Sequence, residues 1–147
     1  MKYGMIALAL FATTIFSVNF ARSEAGVEKD VGTARVPEDE MDEAREWTNP
    51  FKSTPENIAK GKALFVGKAT CFTCHGNEGK GDGIAGAALD PGPRNFHNPL
   101  MKNRQAGEYM WVVANGVEGT GMISYTPGIV SEEEAALIIL FEMSLRK

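Results

Sequence analysis

Two cysteines stand two residues apart and are followed at once by a histidine, in the run Cys71-Phe72-Thr73-Cys74-His75. The chain has no other cysteine, and His97 is its only other histidine. At a helix end this spacing puts both thiols on one side, where they can add to the two vinyl groups of a haem. The adjacent imidazole is then placed to ligate the iron from the proximal face. Covalent attachment keeps the group bound where free haem is lost by dilution. Competing uses of the run fit less well. Zinc asks for about four ligands, which the chain lacks. A thioredoxin-like dithiol belongs in a βαβ setting, and no strand pattern is present. A disulfide between the two would close only a tiny loop and stabilise little.

Iron held by one histidine has a sixth position to fill. The candidates are Met101, Met110, Met122, Met143 and His97. Met110 and Met143 fall in expected helices, where packing is the better use. Met122 lies in a glycine-rich loop that can bring its thioether across a haem without helical constraint. His97 and Met101 stay open beside it. Arg94 is either a partner for a haem propionate, which its guanidinium suits, or a solvated surface arginine. Tyr109, thirteen residues before Met122, and Asn115, seven before it, are alternative candidates to hydrogen-bond its sulfur, and Trp111 reads as core. The string Gly81-Asp82-Gly83-Ile84-Ala85-Gly86 mimics a dinucleotide fingerprint. It has no strand before it and no helix after it, so it reads as backbone permissiveness.

The elements that must position these groups are helical. Thr54, Pro55 and Glu56 start a helix, with Ile58, Gly61, Leu64 and Phe65 at helical spacing. Residues 76–99 are rich in Gly, Pro, Asn and Asp and read as an irregular loop. A second helix is expected over 107–115, with Gly116 as its stop. The last starts at the capping box Ser131-Glu132-Glu133-Glu134 and carries the stripe Leu137, Ile138, Phe141 and Leu145. The expected fold is all-α, three to five short helices with long loops. So small a domain has little core of its own, and a large apolar group at its centre would explain how it folds.

The 147 residues divide into three expected parts. Residues 1–23 form a signal peptide: Lys2, an uncharged apolar stretch, then small residues that allow cleavage after about 23 or 25. An uncleaved membrane anchor is the rival. Residues 24–52 form an acidic extension, expected to be mobile or loosely packed, with Trp47 and Phe51 hinting that its end docks. Residues 53–147 form the haem domain. The net charge of −4 becomes −6 without the leader, since 13 basic and 19 acidic residues remain. Such a chain suits neither nucleic acid nor anionic lipid, and its partners should present basic or neutral surfaces.

From about Thr54 to Leu145 the chain resembles the class I (monohaem) cytochrome c family. The resemblance rests on Gly61-x-x-x-Phe65, Cys71-x-x-Cys74-His75-Gly76, Gly79-Lys80-Gly81-Asp82-Gly83, Gly92-Pro93-Arg94, Gly119-Thr120-Gly121-Met122 and Phe141-Glu142-Met143-Ser144-Leu145, in that order. It implies a cytochrome c fold around one covalent haem c, with its iron held by His75 and Met122. Ile123 stands where the family often has proline. The resemblance further implies that the carbonyl of Pro93 accepts the proton of the other His75 ring nitrogen, and that Gly61 and Phe65 pack against Ile138 and Phe141. An iron saturated by histidine and methionine suits an electron carrier rather than an enzyme, with no small-molecule substrate. The expected setting is the periplasm or another extracytoplasmic space, between a membrane quinol-oxidising complex and a terminal oxidase or reductase. The alternatives are a fixed relay subunit of a larger respiratory or dehydrogenase complex, docked by residues 24–52, and a haem enzyme or gas sensor in which Met122 dissociates.

Overall fold

The structure is a computed structural model that describes residues 33–146. The expected signal peptide and residues 24–32 lie outside the described residues. Five α-helices make up the regular structure: α1 (Met41–Glu46), α2 (Pro55–Val66), α3 (Phe72–His75), α4 (Ala106–Asn115) and α5 (Glu132–Ser144). Short 3-10 turns lie at Glu38–Glu40, Ile84–Gly86 and Pro99–Asn103, and no strand occurs among the described residues. No helix of the described residues is long and apolar enough to cross a membrane. The all-α expectation holds.

The helix ends follow local chemistry. The Thr54 hydroxyl accepts from the backbone N–H of Asn57 at 3.2 Å, and Pro55 fills the first helical position. At α5 the Ser131 hydroxyl accepts from the Glu134 N–H at 3.2 Å, while the Glu134 carboxylate accepts from the Ser131 N–H at 2.9 Å. Helix α4 begins one residue before the expected Gly107.

Helices α2 and α5 cross at Gly61. A β-carbon there would collide with the carbonyl of Leu137 and press on Cβ of Phe141, so only glycine permits this approach. Phe65 is fully buried one turn on, edge-on to Phe141 with ring centres 5.2 Å apart. Ile138 and Ile139 are buried beside it. Each such side chain contributes roughly 1.5–3 kcal/mol on leaving water.

Residues 33–52 are packed on the domain, not loose. Val36 and Ala44 are buried, and Trp47 and Phe51 pack against the core. Helix α1 lies on α4, where Gly107 meets the Ala44 carbonyl with no room for a β-carbon. The Trp111 indole is not core: it donates to the Glu40 carboxylate at 2.7 Å, tying α4 to the extension. Composition pointed to a mobile arm because the stretch is acidic. Its few apolar residues are nonetheless placed to dock, and Glu40 and Arg45 find partners on α4.

Candidate functional site

Helix α3 is a single turn. His75 N–H donates to Cys71 O at 2.9 Å, and Gly76 N–H to Phe72 O at 2.8 Å. The following loop folds back on this turn, with Gly81 N–H donating to His75 O at 2.8 Å and Gly83 N–H to Cys74 O at 3.0 Å. The fingerprint-like glycines thus brace the cysteine run. Cys71 and Cys74 are half-buried and not joined to each other. Burial, reinforced by the nearby Glu142, pushes the Cys71 thiol well up. No group of three or more His, Cys, Asp or Glu able to hold a metal ion occurs among the described residues. The two cysteines and His75 therefore have no further ligand beside them to complete a zinc site among the described residues.

The His75 ring is held on two sides. Its Nδ1–H donates to the backbone carbonyl of Arg94 at 3.0 Å, which leaves Nε2 as the unprotonated nitrogen. The ring stacks on Phe96, with centres 4.8 Å apart and planes 18° from parallel. Burial holds the imidazole below its usual pKa against the opposing Arg94 carbonyl, so the neutral, ligating form prevails at pH 7. The acceptor is therefore Arg94, not Pro93 as expected. The Pro93 carbonyl faces Gly81, and the loop is pinned by Phe96 N–H donating to Gly79 O at 2.8 Å, which brings the next carbonyl round to the imidazole. The Arg94 guanidinium lies in the pocket wall and donates to the Thr33 carbonyl at 2.8 Å.

His75 and both cysteines line a single open cavity whose wall is mostly apolar. Met122 lines it, and so does Met101. Met110 and Met143 do not; they pack in and against the core. His97 is also absent, its Nε2–H donating to the Glu78 carbonyl at 2.7 Å. Of the two candidate sulfur partners, Tyr109 lines the cavity and Asn115 does not, its amide being taken by Trp111 O at 3.0 Å. The Tyr109 hydroxyl is buried without a partner, and burial pushes its pKa up to about 12.

Four charged wall residues escaped the sequence reading: Arg35, Arg104, Glu108 and Glu142. Arg35 and Arg104 bring cationic groups to the cavity. Glu142 faces it from α5, only 5% exposed, and burial raises its carboxyl to about 8. Glu142 lies one turn beyond Ile138, so helical periodicity already placed it on the buried face. Apolar walls, an unpartnered hydroxyl, two thiols beside an oriented imidazole, a thioether and three arginines fit a large flat apolar group with carboxylate arms. A haem answers that description, with Cys71, Cys74 and His75 as the residues that would hold it and the Met101 and Met122 side chains both in the wall.

The sequence model of the family Cytochrome c matches residues 58–145. No curated protein matches the chain. Among solved structures, a chain of the reducing HAO-like protein complex of Kuenenia stuttgartiensis is similar, at 28% identity and a TM-score of 0.58. The match covers 67% of this chain and 47% of that one, so this chain spans about half the length of its structural relative. Matched over more than half of its length, the chain belongs to the cytochrome c family, proteins that move electrons through a covalently bound haem c.

Proposed function

We propose that this chain is a one-electron carrier in which Cys71 and Cys74 hold a single haem by thioether bonds and His75 and Met122 fill both axial positions of the iron. The observation that carries this reading is the His75 imidazole, neutral, stacked on Phe96 and fixed through Nδ1 by the Arg94 carbonyl. When bound, the haem supplies an iron that gains and loses one electron. The chain's residues keep the change small. His75 is oriented in advance, Met122 closes the remaining position, and buried Phe96, Val113, Val130 and Ile138 exclude water from the walls. Thioether ligation and burial favour the ferrous state. With both positions closed, no site remains for a small-molecule substrate, which supports a carrier over an enzyme.

The leader expected over residues 1–23 supports work in the periplasm or another extracytoplasmic space. The partners are then redox proteins, a donor and an acceptor of a respiratory chain. The acidic balance of the exported chain favours basic or neutral docking faces. A second reading, a fixed relay subunit, draws support from the similarity to a chain of a protein complex. Co-purification of a stoichiometric partner after mild extraction would favour that reading, and a monomer reduced rapidly by several donors would count against it.

The test is a reduced-minus-oxidised spectrum of the exported protein. The wild type should show the charge-transfer band of methionine on ferric iron, and Met122→Ala should lose it. Rapid carbon monoxide binding by the ferrous wild type would overturn the closed-site reading.

A further inference from the structure

The family match begins at residue 58, yet the pocket has a wall built from residues well before it. Thr33, Arg35 and Val36 line the cavity, and Val36 is buried. This segment is tied down at several points. The Arg94 guanidinium holds the Thr33 carbonyl, and Glu40 takes the Trp111 indole N–H. Arg45 Nε donates to Glu108 at 3.1 Å, and Asn49 donates to the Ala136 carbonyl at 2.8 Å. Gly107 admits the Ala44 carbonyl where any side chain would block it. These attachments reach the loop before α4, α4 itself and α5, so the segment is a strap across the pocket.

The charges on this wall are unequal. Glu108 is buried and answered twice, by Arg45 and by Arg104, each at 3.1 Å. Arg35 faces the cavity with no carboxylate paired to it among the described residues. A half-buried arginine in the wall of an apolar cavity calls for an anion, and its planar donors match a carboxylate best. A haem brings two such carboxylates on its propionate arms.

We propose that residues 33–36 are a working wall of the haem pocket and that Arg35, from outside the family domain, binds a haem propionate and biases the iron toward its reduced state. This rests on the haem occupying the cavity as proposed above. The bias follows from charge: reduction adds an electron to the haem, and a cation close by favours the more negative form.

The experiment compares the exported wild type with Arg35→Gln, Arg35→Lys and Glu38→Gln, the last an exposed charge on the same segment. Each is read by haem content, the methionine charge-transfer band and a potentiometric titration across pH. Arg35→Gln should keep its haem and its band while the reduction equilibrium shifts about three- to tenfold toward the ferric form. The tenfold limit corresponds to 59 mV for one electron. The pH at which the potential begins to change should rise, because the propionate loses its cation. Arg35→Lys should recover most of both effects, and Glu38→Gln should show neither. A potential and pH profile for Arg35→Gln equal to the wild type's, with haem and band intact, would overturn the inference and leave the carrier reading standing. A wild type without attached haem would sink that reading instead.

Discussion

The two sides of the pocket are built differently. Around His75 the chain is closed on itself: the α3 turn, the returning loop, the Arg94 carbonyl and the Phe96 ring all bear on the imidazole. Around Met122 the chain is thin. The loop is held by Val117 N–H to Met122 O at 2.8 Å, Met122 N–H to Thr120 Oγ1 at 3.1 Å and Tyr125 N–H to Val113 O at 2.8 Å. Met122 is half-buried, and the next residue, Ile123, is 58% exposed. The attachment side thus belongs to the core, whereas the thioether side is a loop laid over it. Damage on the first should cost stability and ligation together, and damage on the second should cost ligation alone.

The largest expected effect is at Phe96, which is 5% exposed and stacked on His75. Phe96→Ala should lower stability by about 3–5 kcal/mol in urea unfolding and broaden the haem spectrum as well. If stability fell with the spectrum unchanged, the ring would be packing without orienting the imidazole. Next come the two cavity-lining methionines. Met101 is buried, so Met101→Ala should cost about 2–5 kcal/mol and leave the methionine band intact. Met122→Ala should remove the band at a smaller cost in packing. The opposite pattern would move the proposed ligand to Met101.

Glu142 offers a test on a third wall. Its folded-state value, about 8, lies above the roughly 4.3 expected of the unfolded chain, so the unfolded chain loses this proton first. Its protonated form is tolerated in full below the unfolded value, and stability falls as pH rises from there to about 8. Glu142→Gln should flatten that fall and raise stability at pH 9 by on the order of 1–3 kcal/mol, measured by urea unfolding at stepped pH. An unchanged slope would mean that the carboxyl has a route to water. The smallest effect is expected at Ser131, the cap of α5. Ser131→Ala should cost about 1 kcal/mol and leave spectrum and potential untouched, because the cap touches neither side of the pocket.

Much of this was legible along the chain because its causes are local. The cysteine run declares its chemistry by spacing, and Thr54 and Ser131 cap the helices they precede, whereas the crossing at Gly61 was expected only from the family resemblance. Helix α1 was not legible. Its six residues are mostly charged, and the contacts that hold it come from α4, more than sixty residues away.

The sequence by itself determined the kind of site: two thiols and a histidine at haem spacing, a short set of candidate sixth ligands, and an all-α frame too small to fold around nothing. Tertiary structure alone decided that Arg94 and not Pro93 meets His75, and that Met101 and Met122 reach the cavity while Met110, Met143 and His97 do not. It also decided that Glu142, Tyr109 and Arg35 face the same space. Spacing along a helix or turn sets neighbours within a few residues. Which carbonyl or side chain arrives from a distant segment depends on how loops close and helices cross, and no local pattern records that.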